Sequence, residues 1–216
     1  MVVLLIAGAV LAAAGASSAE TPAKQDAPCV TTAEAQGMDS GVLSRGFREL
    51  AAETKHLHSL LVARNDCVVV EAYWSPYNRA TKHYLNSITK AVLGALVGIA
   101  VREGRMREDA RVLSYLPAFA SANDDPHRQA ITVRDLLTMS SGISWHHSPP
   151  ENTSDEMGHS SDWVRFILER PMAADPGTIT NYSNGDAHLL SAALQSAVGE
   201  AALKFARKKL FGPLRN

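Results

Sequence analysis

Cysteine, charge of either sign in excess and long apolar runs are all scarce in this sequence of 216 residues, and each shortage excludes something. The 21 basic residues nearly balance 22 acidic ones, for a net charge of −1. No stripe of Lys and Arg is interleaved with aromatics, so neither nucleic acid nor an anionic membrane surface is an expected partner. There are two cysteines, Cys29 and Cys67. Neither has a second Cys or a His two to four residues away, which argues against a zinc site. One disulfide or two buried thiols both fit them. His56 and His58 would need a third ligand to hold a metal, and no His-Glu-x-x-His occurs. Nor is there a Gly-x-Ser-x-Gly elbow, the mark of the α/β-hydrolase triad. No metal and no cofactor is expected.

The one long apolar run is Val2 to Ala14. It suits the core of a signal peptide and is too short to span a bilayer. Small residues at Ala14-Gly15-Ala16 and Ser17-Ser18-Ala19 follow it, although no Lys or Arg precedes it. Residues 1–19 therefore read as a signal peptide, 20–40 as a polar, Pro-containing linker and 41–216 as one domain. The expected location is periplasmic or secreted, with no stable membrane span once the signal is removed.

Elsewhere the apolar pattern is mainly helical. Leu43, Phe47 and Leu50 stand at helical spacing behind Ser40, a candidate cap. Two β-branched runs flank Arg64-Asn65-Asp66, the pattern of a hairpin with a polar turn. In 84–104, YLNSITKAVLGALVGIAVREG, nearly every side of the helix is apolar and Gly104 is a natural stop. Thr132 and Asp135 form a capping box at the head of a helix expected to run to Gly142. A polar loop at 143–160, a short amphipathic helix in SDWVRFILER and two further helices complete the chain. Helices thus far outnumber strands.

Ser87 and Lys90 head the most apolar helix. Three residues apart, they share one face with Cβ atoms roughly 5–6 Å apart, so an amine comes within reach of a hydroxyl. A serine hydroxyl attacks only when a base takes its proton, and a lysine acts as base when burial or nearby charge lowers its pKa. The plain alternative is that Ser87 caps the helix and Lys90 is solvated. A second polar cluster, Tyr182-Ser183-Asn184, precedes another helix. A phenol can pass a proton and an amide can hold both a lysine and a carbonyl, although the same residues suit a turn.

Taken together, these blocks resemble the serine β-lactamase and penicillin-recognising family, in particular its class C-like group. The resemblance runs from about residue 57 onward. It rests on LLVARNDCVVVEAYW, NSITKAVLGALVGIAVREG, ITVRDLLTMSSGISW, PMAADPGTITNYSNGDAHLLSAAL and FARKKLFGPL. The segments DWVRFILERPMAADPGT and YSNGDAHLLSAALQ look most like the 6-aminohexanoate-dimer hydrolase branch. The resemblance implies an α+β fold of the β-lactamase/transpeptidase type. It implies acyl transfer on a small amide, ester or peptide-like substrate. Ser87 would be the acylated nucleophile and Lys90 its hydrogen-bonded base partner. Tyr182 would shuttle the proton, Asn184 would orient Lys90 and the substrate amide, and the Ser87 backbone N–H would help hold the oxyanion.

The chain departs from the family in one respect. No Lys-Thr-Gly or His-Thr-Gly follows the helix after Tyr182, so the sheet is expected to be incomplete, an N-terminal hairpin only. A lone hairpin is marginal in water, and one lost oxyanion donor costs on the order of 100–1,000-fold in rate. The expectation is a truncated hydrolase with impaired activity, against the alternative of a non-catalytic, ligand-binding member. Trp163 is expected in the core. Trp145, His146 and His147 are candidates to line a cleft. Lys204, Arg207, Lys208 and Lys209 read as a solvated helix face, and Asn152 and Asn181 as matches to the glycosylation sequon.

Overall fold

The β-branched runs around Asn65-Asp66 form the expected hairpin. The computed structural model describes residues 29–54, 56–120 and 125–214, so residues 1–19, read as a signal peptide, and the first part of the segment read as linker lie outside the described residues. These residues fall into two compact units, one ending at His83 and the other starting at Tyr84.

In the first unit, strand β1 (Cys29–Val30) precedes helix α1 (Ser40–Glu53) and strands β2 (Ser59–Arg64) and β3 (Cys67–Tyr73). Asn65 and Asp66 turn the hairpin with φ of 48° and 60°, the pair of left-handed conformations that matches strand twist in a two-residue loop. Part of the segment read as linker is ordered here: β1 lies parallel to β3, pairing Cys29 with Cys67 and Val30 with Val68. The sheet is therefore three-stranded, in the order β1-β3-β2, rather than a hairpin alone. Cys29 and Cys67 form a disulfide, which settles the choice left open by the sequence. The cap of α1 is Asp39, whose carboxylate accepts from Val42 N, and not Ser40. Asp39 sits one residue outside the helix, where its short acceptor can reach back to a free N–H. Phe47 of α1 stacks on Trp74 with ring centroids 4.9 Å apart, while Leu61 remains exposed.

The second unit is helical. It holds α2 (Ile88–Arg102), α3 (Pro117–Ala120), α4 (Pro126–Ala130) and α5 (Val133–Leu137). A minimal hairpin of β4 (His147–Ser148) and β5 (Glu151–Asn152) leads into α6 (Thr153–His159) and α7 (Trp163–Leu168). Last come α8 (Asn184–Val198) and α9 (Ala202–Ala206), the latter running into a single π-helical turn (Arg207–Phe211). Leu93, Leu96, Val97 and Ala100 of α2 pack with Leu189, Leu190, Ala193 and Leu194 of α8 in one core. Phe205, Val133 and Ile167 are fully buried in the same core. The capping box at α5 forms as read, with Thr132 and Asp135 bonding reciprocally. The helix stops at Leu137, short of Gly142, because the backbone turns left-handed at Met139 (φ 54°) and again at Gly142 (φ 80°). Among the described residues no helix is long and apolar enough to cross a membrane. Helices with a small sheet make this an α+β protein, as expected.

Candidate active site

Asn86 enters α2 with φ of 47°, a conformation Asn tolerates better than most residues, and places Ser87 at the head of the helix. Ser87 occupies the N-cap position, yet its side chain makes no capping hydrogen bond. Lys90 Nζ donates to Ser87 Oγ at 3.2 Å, and the Tyr182 hydroxyl lies 2.5 Å from the same oxygen. Lys90 Nζ also donates to Asn184 Oδ1 at 2.6 Å and stands 4.9 Å from the centre of the Tyr182 ring. The structure thus brings all four residues singled out in the sequence to one point. Deep burial, which the sequence suggested for the pair, begins one turn later at Leu93: Ser87 is exposed and Lys90 half-buried.

Tyr182 reaches Ser87 because the segment before it is braced along its length. Gly142 is the pivot of this brace. A Cβ there would lie 2.1 Å from the Ala174 carbonyl oxygen, and its left-handed φ suits glycine. Its own carbonyl accepts from Ala173 N at 2.7 Å, and Ser140 O accepts from Gly177 N at 2.7 Å. Asn181 then donates its backbone N–H to Met139 O and its side-chain amide to Trp145 O. The next residue delivers the phenol.

Electrostatics make the Tyr182 phenol easier to ionise. The Ser87 hydroxyl contact, and after it Lys90, hold the Tyr182 phenol below its ordinary value. The neutral phenol donates to Ser87 Oγ. Once ionised, it accepts from the serine hydroxyl instead, since a hydroxyl rotates to suit its partner. Asn184, the first residue of α8, turns its carbonyl toward Lys90 and donates Nδ2 to Ser154 Oγ at 2.9 Å. Ser154, on α6, was not foreseen as part of the site. Its only signal in the sequence was its place in a sequon.

Of the three cleft candidates, His147 alone touches the site. Its Nε2 meets the Tyr182 backbone carbonyl, and the two rings lie 5.6 Å apart. His146 turns away to Ser144 and Glu151. Trp145 is buried, with its ring where a side chain on Gly185 would be, 2.4 Å from that glycine's absent Cβ. Trp163 is not a core residue: it is 41% exposed and meets His188 in a T-shaped contact, with centroids 5.0 Å apart. The imidazole gives the indole a partner at the surface, so full burial is not needed to cover it. Lys90 and Asn184 border a cavity of about 630 Å³ whose walls include Leu93, Leu96, Met157 and Phe211.

A further group lies directly behind the Tyr182–Asn184 turn. Asp186 is 1% exposed and accepts from Ser141 Oγ at 2.7 Å, while its backbone N–H donates to Ser183 Oγ at 3.0 Å. Burial pushes the Asp186 carboxyl up to about 6. Hydrogen bonds from the Ser141 and Ser183 side chains and from the Ser141 backbone oppose that shift without cancelling it. Neither Asp186 nor Ser141 stood out in the sequence, because a contact across 45 residues leaves no local pattern.

A family model described as Beta-lactamase matches residues 35–216. Protein flp of Staphylococcus aureus (strain COL) is 26% identical over 134 residues, which cover 62% of this chain and 27% of flp. A 6-aminohexanoate-dimer hydrolase homologue from Bacillus anthracis superposes with a TM-score of 0.62 at 18% identity, over 76% of this chain and 45% of that one. EstCE1, described as a hydrolase with promiscuous acyltransferase activity, gives 0.69 at 22% identity, over 82% and 51%. At these identities the two structures establish a shared fold. The chain spans about a quarter of the length of flp and about half of each structure.

Proposed function

Because the chain belongs to the beta-lactamase family, we propose that it is a serine hydrolase that forms an acyl-enzyme at Ser87. The observation that carries this reading is the double contact at Ser87 Oγ, with the Tyr182 phenol at 2.5 Å and the Lys90 amine at 3.2 Å. In the proposed reaction Ser87 Oγ attacks the carbonyl carbon of an amide or ester, and its proton passes to the ionised Tyr182. Lys90, held by Asn184, lies beside the phenol and, after the Ser87 contact, makes it easier to ionise. The Ser87 backbone N–H, at the positive end of α2, donates to the developing oxyanion. Collapse breaks the C–N or C–O bond, and Tyr182 returns the proton to the leaving group. Water then attacks the ester formed on Ser87 and gives a proton to Tyr182; the bond between the acyl carbon and Ser87 Oγ breaks, Tyr182 returns that proton to Ser87 Oγ, and the acid is released.

The cavity beside Lys90 supports a small substrate with an apolar portion, since about 630 Å³ falls in the usual range for ligand pockets. The Cys29–Cys67 disulfide supports folding in an oxidising compartment, in keeping with an exported protein. The test is covalent labelling with a fluorophosphonate, read by intact mass. One adduct should form, and it should vanish in Ser87→Ala. Tyr182→Phe should slow labelling by about 100–10,000-fold, the usual worth of a positioned general base. A folded wild-type protein that takes no label would overturn the reading in favour of a non-catalytic binder.

A further inference from the structure

The Asp186 carboxylate is a buried group that the proposed chemistry does not use, and it is costly to keep. Its carboxyl holds a proton up to about pH 6, so the folded state binds more protons than the unfolded one between the ordinary carboxyl pKa and that value. Stability therefore falls as pH rises through this window, and above it the ionised group stays a net burden. An apolar or amide side chain would spare the fold that burden. What the carboxylate does contribute is a tie. It joins the Ser141 hydroxyl, from the loop that braces Gly142 and Asn181, to the first turn of α8. Ser183, which caps α8 and receives the Asp186 N–H, lies between Tyr182 and Asn184. Ser141, Ser183 and Asp186 are each no more than 2% exposed, so the tie is shielded from competing water.

We propose that Asp186 is the positioning residue of this site: through Ser141 and Ser183 it fixes the Tyr182–Asn184 turn so that phenol and amide meet Ser87 and Lys90. The assignment rests on the hydrolase reading above, and it extends to how that site responds to pH. Ionised Asp186 makes a charge-assisted bond to Ser141. Protonation weakens it and loosens the turn. Asp135 on α5 is the charged neighbour that Asp186 feels. His147 touches Tyr182, His188 lies further along α8 and Lys90 bonds Asn184, so each must be separated from Asp186 in any titration.

Two readouts test the proposal. The rate of Ser87 labelling by a fluorophosphonate, followed from pH 4.5 to 8.5, should rise through a step near pH 6. Asp186→Asn should lose that step and label about 10-fold or more slowly at pH 8, in line with the cost of small misplacements of catalytic groups. It should melt no lower than wild type at that pH. Ser141→Ala, which removes a donor to the ionised form, should move the step to higher pH. A His147→Gln control should retain it. A step that persists in Asp186→Asn, or a rate loss that merely tracks unfolding in both variants, would overturn the assignment.

The second readout needs no activity. In Ser87→Ala protein labelled with ¹³C at Asp and Tyr, the Tyr182 ring resonances should follow the Asp186 carboxyl through its titration. Tyr182 signals that ignore it would refute the tie. If wild-type protein takes no label at any pH, the hydrolase reading fails, and this titration still decides the role of Asp186.

Discussion

Replacing Gly185 by alanine probes the packing that aims the site. Gly185 lies between Asn184 and Asp186 in the first turn of α8. A Cβ placed on it would stand 2.4 Å from Trp145 Cζ3, 2.9 Å from Cε3 and 3.1 Å from Cη2. Ordinary carbon contacts are about 3.5–4 Å, so the ring or the helix must move by about 1 Å. The ring has little freedom: Trp145 is buried, and its carbonyl is held by Asn181. Overpacking of this severity belongs near the top of the usual 1–3 kcal/mol range, about 3 kcal/mol. Alanine in place of glycine in a helix returns up to about 1 kcal/mol. The net loss should be about 2 kcal/mol, or a fall in Tm of about 4–8 °C for a protein of this size. Gly94, in the middle of α2, has nothing within 4 Å of its would-be Cβ. Gly94→Ala should therefore gain about 1 kcal/mol and serves as the control. Calorimetry on both variants reads the stability, and labelling at Ser87 reads the aim of Tyr182. A Gly185→Ala protein that melts as high as wild type and labels as fast would refute the packing argument.

Two other perturbations should act through local structure. Thr132→Ala removes half of the reciprocal cap on α5 and should cost about 1–2 kcal/mol in urea unfolding, whereas Thr132→Ser should cost much less. Cys67→Ser opens a loop spanning 38 residues, and on the chain-entropy account should remove about 4 kcal/mol from the first unit. Hydrogen exchange at β1 and β3 should accelerate accordingly; protection equal to wild type would show that the crosslink does not hold β1 in place.

What could be read in advance was local. The Asn65-Asp66 turn, the Thr132–Asp135 box and the approach of Lys90 to Ser87 depend on residues within a few positions of one another, where backbone geometry decides the outcome. The meeting of Tyr182 with Ser87, and of Asn184 with Lys90, across more than ninety residues was legible only through the family resemblance. Other features had no local signature at all. Strand β1 is two residues long and exists because β3 offers it an edge and Cys67 a partner. Asp39 displaced Ser40 as a cap by a shift of one residue, within the ordinary uncertainty of a helix end. Trp163 looked like core because tryptophan is usually well covered, but its partner, His188, is supplied by a different helix. Ser154 and Ser141 are common residues in loops and helix starts, and their roles come from what the folded chain sets opposite them.

The 2.5 Å contact between Ser87 and Tyr182 also works as a caliper set between two helices. One jaw is the start of α2 and the other the residue leading into α8, and the screw is the shared core of Leu93, Val97, Leu189 and Ala193. A drift of about 1 Å in how those helices seat would open the contact beyond hydrogen-bonding range. Mutational drift in that oily interior would therefore be felt at the hydroxyl before it was felt as unfolding. In such a lineage, selection for turnover would police side chains that never meet a substrate.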